Sequence, residues 1–315
     1  FTDNANDGTV DVYKEKGHKI VASNLCSEIM LPSSEAWSFV CCLSSINLRH
    51  YDDWKDTDLV ETMIAFLDAV MEEFVTKLKT MRDSGEDEQT LAYAFMTRAL
   101  RFAEENRALG LGVLGWHSLL QEKMLPFDSA KALELNKEVF SYIQDHAMSE
   151  SMQLAKELGE PEVLKGYGRR NTTLIAIAPT TSSAFILGQV SQGIEPIWSN
   201  CYIKDVAKMK VTIKNPQLEV LFDSRGLNTK LVWDSIRDHD GSVQHLPELT
   251  EDEKNVFKTF AEIDQSIVIQ QAADRQVFID QGQSLNIMID PSVSVKDLNA
   301  LHIQAWKSGV KSLYY

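Results

Sequence analysis

Thr172-Thr173-Leu174-Ile175-Ala176-Ile177-Ala178-Pro179-Thr180-Thr181-Ser182-Ser183 is the stretch on which the fold class turns. Its first seven residues are β-branched or apolar, the composition of a strand. Pro179 has no N–H to offer a ladder and stops it. The hydroxyl cluster of Thr180, Thr181, Ser182 and Ser183 then opens a helix over residues 184–187.

The flanking sequence repeats this alternation. Upstream, Leu59, Met63, Phe66, Leu67, Val70, Phe74 and Leu78 recur every three or four residues, which predicts one buried face of a long helix. A second helix is expected over residues 88–105, then a short strand at residues 109–112 leading into a helix over 113–123. Residues 129–158 are helical by the same spacing, and Gly159 with Pro161 ends them. Downstream, Thr250 and Glu253 form a capping-box pattern that predicts one long helix toward Asp274, and residues 295–309 read as another. Residues 1–19 read as a loop or weak hairpin before the apolar piece Ile20-Val21-Ala22, and residues 39–43 as a buried strand. Short strands between longer helices predict an α/β fold of parallel strands.

The chain has 315 residues, 44% of them hydrophobic and 24% charged, enough for a real core in one large domain or two modest ones. A formal charge of −15 leaves no basic stripe, so no nucleic-acid polymer is expected as a partner. A single nucleotide remains compatible, because backbone N–H groups hold phosphates without net positive charge. The longest apolar runs are too short to cross a bilayer, so no membrane partner is expected and the cytoplasm is the expected location. The four cysteines, Cys26, Cys41, Cys42 and Cys201, show no CxxC spacing, which argues against a zinc site or a disulfide scaffold. The seven histidines show no ligand spacing, and none is read as a metal ligand.

In Ser23-Asn24-Leu25-Cys26-Ser27-Glu28 an amide, a thiol and a carboxylate stand at alternate positions. In an extended loop such residues point the same way, which would put an acid/base group beside a sulfur. A buried cysteine between two surface polar residues explains the same hexapeptide. Cys41 and Cys42 are neighbours on the expected strand and face opposite sides, so only one of them shares a pocket with Cys26.

These residues carry a family resemblance. Asn24-x-Cys26-x-Glu28 resembles the finger loop of ribonucleotide reductase large subunits, and Cys41-x-Leu43-Ser44 with Asn47-Leu48 resembles the strand after it. Asn106-Arg107-Ala108-Leu109-Gly110-Leu111-Gly112-Val113 looks like the family's strand-to-helix turn. Arg170-Asn171-Thr172-Thr173-Leu174 through Ser183 looks like its substrate-phosphate segment, and Gly193-Ile194-Glu195-Pro196 follows in order. Residues 307–315, ending in Tyr314-Tyr315, resemble the segment that bears the family's tyrosine pair. The resemblance implies that residues 1–315 are the C-terminal catalytic part of the barrel domain, the second half of a ten-stranded α/β barrel with its finger loop.

It further implies that Cys26 becomes a thiyl radical that removes the substrate's 3′ hydrogen, Glu28 takes the 3′ hydroxyl proton, and Asn24 hydrogen-bonds the ribose. Cys41 would be one of two reducing cysteines, Cys42 structural, and Cys201 without a role. Thr180, Thr181, Ser182 and Ser183 would hold the substrate phosphate, although a plain helix cap is the better account of them when they are taken alone. Tyr314 and Tyr315 would relay a radical from a metal-containing small subunit, which argues for class I over adenosylcobalamin-dependent relatives. No cofactor is expected on this chain.

The resemblance also implies that the other half of the barrel, the second reducing cysteine and the site for an allosteric nucleotide lie on a segment or chain upstream, and the regenerating Cys pair downstream. A segment of a longer protein, in a homo-oligomer and recharged by a thioredoxin- or glutaredoxin-type external dithiol, is expected. The competing readings are a glycyl-radical or cobalamin-dependent relative of the same barrel, and a catalytically silent half-barrel that acts as an assembly or regulatory partner.

Overall fold

The computed structural model describes residues 1–206 and 209–314. At its centre lie four extended segments running parallel. Strand β1 (Leu43–Asn47) pairs with β2 (Gly110–Leu114), with Leu43 opposite Gly110 and Asn47 opposite Leu114. Strand β2 in turn meets residues 173–177, where Leu111 N–H donates to Leu174 O (2.6 Å) and Ala176 N–H to Leu111 O (3.1 Å). That segment meets residues 281–284, where Ile177 N–H donates to Gly282 O (3.1 Å) and Ser284 N–H to Ile177 O (2.8 Å). Parallel neighbours need long crossovers. Helices supply them: Leu59–Asp83 and Asp87–Asn106 between the first two, Trp116–Glu122 and Ala130–Leu158 before the third. The arrangement is α/β, as the alternation predicts.

Residues 172–178 are extended but do not form a regular strand, and Asp280 is the cause. Its carboxylate accepts the N–H groups of both Leu174 (2.6 Å) and Ile175 (3.1 Å), displacing ladder partners. Gly112 lets this segment come close to β2, since a Cβ there would sit 2.5 Å from Ala176 O.

Several expectations need correction. Residues 1–19 form two short helices, Thr2–Asp7 and Asp11–Glu15, not a loop or hairpin. Tertiary docking overrides their polar composition: Tyr13 is buried and its hydroxyl donates to Thr172 Oγ1 at 2.8 Å. The strand placed at residues 39–43 begins only at Leu43. The single helix expected from Thr250 is three pieces, Glu251–Val256, a 3-10 turn Phe260–Glu262 and Gln265–Gln276. A second capping box, Thr259 with Glu262, restarts the chain after Phe257 turns into the core. The antiparallel hairpin of β3 (Cys201–Val206) and β4 (Met209–Lys214) and the helices Pro216–Arg225 and Lys230–Asp238 were not foreseen. Asn215-Pro216, a capping residue followed by proline at the first helical position, was the available signal for the first of those helices. Cys201 packs there with Leu218, Phe222 and Trp233, as a small hydrophobe. Among the described residues no helix is long and apolar enough to cross a membrane.

A buried ion cluster locks helices to strands. Asp68 on the Leu59–Asp83 helix accepts from Arg107 Nε (2.8 Å), Arg170 Nε (2.8 Å) and Asn171 Nδ2 (2.9 Å). Burial pushes its carboxyl up, but the hydrogen bonds and charges of Arg107 and Arg170 outweigh this and hold it below the ordinary carboxylate range. Arg107 caps the Asp87–Asn106 helix in the left-handed region (φ 46°), so the cluster also fixes the turn into β2. Removing one partner of a buried pair leaves charge uncompensated and costs about 3–5 kcal/mol. Asp68→Ala is therefore expected to lower unfolding stability by about that amount in denaturant titration, whereas cutting the exposed Glu73–Lys77 pair leaves the midpoint in place.

Candidate active site

The loop carrying Asn24, Cys26 and Glu28 is a tight turn, not the extended alternation expected. Ser27 N–H donates to Asn24 O (3.2 Å) and Ser27 has φ 65°, so the chain doubles back at the sulfur. Leu25 points to solvent, Cys26 is half-buried, and Glu28 is buried. Asn24 Oδ1 accepts the Ile29 N–H (3.0 Å) and closes the base of the turn.

The loop is held against the 281–284 segment. Gly282 N–H donates to Glu28 O (2.7 Å), Met30 N–H to Gln281 Oε1 (3.1 Å), and Ser312 Oγ–H to Ser27 O (2.9 Å). A Cβ on residue 282 would meet Ser27 O at 2.7 Å, so only glycine allows this approach. Ser284 Oγ bonds both the Cys26 carbonyl (2.5 Å) and Glu28 Oε2 (3.2 Å).

The two adjacent cysteines differ in burial, although both precede the strand on which they were expected. Burial raises the Cys41 thiol above its ordinary value, and the charges of Glu28 and of Cys26 raise it further. Cys41 nevertheless keeps solvent access, while Cys42 is buried and donates its Sγ–H to Leu67 O at 3.4 Å. Burial, then the charge of Asp68, pushes Cys42 up to about 11, so it stays a thiol.

The hydroxyl cluster follows the third parallel segment. Thr180 stands at φ 57° before the helix Thr181–Ile186, three residues earlier than the expected start at residue 184. Thr180 Oγ1 accepts the Gly193 N–H (2.8 Å) and Thr181 Oγ1 donates to Gln192 Oε1 (3.1 Å), so both tie down the 192–195 loop. Ser182 and Ser183 are exposed on the first turn, whose N–H groups lack helical partners. Glu195 lies at the end of that loop and accepts from Asn286 Nδ2 at 2.6 Å. Tyr314 sits beside the fourth segment, its N–H donating to Leu285 O at 2.8 Å. Tyr315 lies outside the described residues.

The C-terminal ends of the third and fourth parallel segments thus carry the hydroxyl-rich turn, the loop of Cys26 and Glu28, and Tyr314, whereas Cys41 precedes the N-terminal end of β1. Ser284, Gly282, Gln281 and Asn286 were not singled out in the sequence. Glu28 and Glu195 are matched to the 281–286 segment only by distant pairing.

A parallel α/β scaffold with a thiol- and carboxylate-bearing loop pressed against it is the class this geometry defines. The family profile described as "Ribonucleotide reductase, barrel domain" matches residues 1–163 and 161–315, and the chain belongs to that family. It is 42% identical to a putative ribonucleoside-diphosphate reductase large subunit of Frog virus 3, over 100% of this chain and 54% of that protein. The large subunit of Invertebrate iridescent virus 6 is 40% identical over 94% of this chain and 30% of its own length. Among solved structures, the Actinobacillus ureae class Id ribonucleotide reductase alpha subunit superposes with a TM-score of 0.91 at 54% identity, covering 100% of this chain and 56% of that one. The chain spans about half the length, or less, of the relatives cited here.

Glu195 is 3% exposed, and burial, partly offset by Asn286 and Trp198, pushes its carboxyl from 4.5 to about 7. An acid raised in this way stabilises the fold while protonated: the contribution is complete below about pH 4.5, falls as pH rises, and is lost above about pH 7. The difference between the limits is on the order of 3 kcal/mol. Glu195→Gln removes the titration, so its stability relative to wild type should rise by roughly 2–3 kcal/mol between about pH 5 and pH 8 in denaturant unfolding. A constant difference across that range contradicts this assignment.

Proposed function

We propose that this chain is the catalytic part of a class I ribonucleoside-diphosphate reductase large subunit, working in the cytoplasm. The observation that carries the reading is the tight loop of Cys26 and Glu28 clamped by the 281–284 segment through Gly282 and Ser284. The one-domain reading of residues 1–315 belongs to the same proposal. A further segment or chain supplies the remaining strands, the second reducing cysteine and the effector site.

Each residue then has one task. The substrate's phosphates sit on the turn of Thr180, Thr181, Ser182 and Ser183, where free N–H groups and hydroxyls replace basic side chains. A small subunit holding a metal supplies the radical through Tyr315 and Tyr314 to Cys26. The Cys26 thiyl takes the 3′ hydrogen atom while Glu28 takes the 3′ hydroxyl proton, a step that needs a base within hydrogen-bond reach. Asn24 holds the ribose. The 2′ hydroxyl leaves as water, Cys41 and its distant partner give two electrons and become a disulfide, and Cys26 returns the 3′ hydrogen. A thioredoxin- or glutaredoxin-type dithiol then reduces the disulfide. The homo-oligomer expected of the whole protein covers strand edges that would otherwise be open.

In the complete enzyme, Cys26→Ser should lower turnover by at least about a thousandfold with substrate binding retained. Cys42→Ser should keep it. Unchanged turnover in Cys26→Ser would favour the silent half-barrel instead. This chain alone, given only a small subunit and a dithiol, should reduce no ribonucleotide; reduction under those conditions would refute the need for a further segment.

A further inference from the structure

Ser284 is 2% exposed and fixed in place by its N–H to Ile177 O at 2.8 Å. Its hydroxyl lies against two groups at once, the Cys26 carbonyl at 2.5 Å and Glu28 Oε2 at 3.2 Å. A hydroxyl has one hydrogen to give. The carbonyl is always an acceptor, and an ionised carboxylate is only an acceptor. With Glu28 ionised, the hydrogen serves one neighbour and leaves the other facing a lone pair. With Glu28 protonated the conflict ends: the carboxyl O–H donates to Ser284 Oγ, and Ser284 donates to the Cys26 carbonyl. The two states differ in whether the peptide of the sulfur-bearing residue is tied to the scaffold.

We infer that Ser284 is a positioning residue that couples the proton on Glu28 to the Cys26 peptide. Its hydrogen turns toward Glu28 while that group is a carboxylate and toward the Cys26 carbonyl once Glu28 is protonated. No bond is made or broken at Ser284; the only transferred proton is the one Glu28 takes from the substrate. The loop tip is therefore fastened when the base is loaded, and Cys26 is held in line for the return of the hydrogen atom. The neighbouring contacts make the tip depend on this hydroxyl. Ser27 O is held by Ser312 and Glu28 O by Gly282, so the Cys26 carbonyl between them is the one whose bond changes with protonation. This inference rests on the roles proposed above for Cys26 and Glu28.

The test uses the complete enzyme with its small subunit. Ser284→Ala should lower kcat by about 10- to 100-fold with little change in KM, as expected when a reacting group is slightly misplaced. It should also alter the acidic limb of the kcat/KM profile, because Ser284 no longer bonds Glu28. Ser284→Thr, which keeps the hydroxyl, should restore both. A second measurement needs no variant: with carbonyl-labelled cysteine, the infrared band of Cys26, identified by its absence in Cys26→Ser, should shift down as Glu28 is protonated. A band that stays fixed through the titration overturns the inference, as does Ser284→Ala with wild-type kcat and pH profile. If Cys26→Ser is active, the proposed function itself fails; if it is dead while Ser284→Ala is unaltered, this inference alone fails.

Discussion

The hydrogen bond from Gly282 N–H to the Glu28 carbonyl, 2.7 Å long, is the contact on which the site depends. It joins the finger loop to a segment some two hundred and fifty residues later in the chain. The approach exists because residue 282 has no side chain to strike Ser27 O. Gln281, Ser284 and Ser312 add their bonds on either side, so the turn at Cys26 is fastened through its backbone groups. A reactive sulfur needs this kind of support, since small displacements of a reacting group are costly in rate.

That segment is itself fixed by the scaffold. Asp280 accepts two N–H groups of the 173–177 segment, and Gln281 Nε2 donates to Leu109 O at 2.9 Å. One step further, Asp68, Arg107, Arg170 and Asn171 bind the long helix to the turns that begin the second and third segments. Two of these residue pairs, Asn106-Arg107 and Arg170-Asn171, carry the family resemblance, yet their contacts hold the fold together and do not line the thiol. Part of the sequence resemblance is thus carried by residues that hold the scaffold together.

The long helices, the β2 strand and the hydroxyl turn were legible because their periodicity and breakers are local. The turn at Ser27 was not, since a positive φ in a serine has no signature in a hexapeptide. Nor was the broken helix after Thr250, where burial of Phe257 and Phe260 competes with helical spacing. The Asp280 carboxylate capping two strand N–H groups, the buried Glu195–Asn286 pair and the two contacts of Ser284 join residues about ninety or more positions apart, and no pattern along the chain announces them.

The central claim is that the clamped loop presents Cys26 and Glu28 to one sugar. It is tested most directly by a crystal structure of the complete enzyme with a ribonucleoside diphosphate bound. The account predicts the diphosphate on residues 180–183, the Cys26 sulfur against the ribose 3′ carbon and the Glu28 carboxyl hydrogen-bonded to the 3′ hydroxyl. A nucleotide seated elsewhere, with the ribose out of reach of Cys26 while the loop keeps its bonds to residues 281–284, would contradict it.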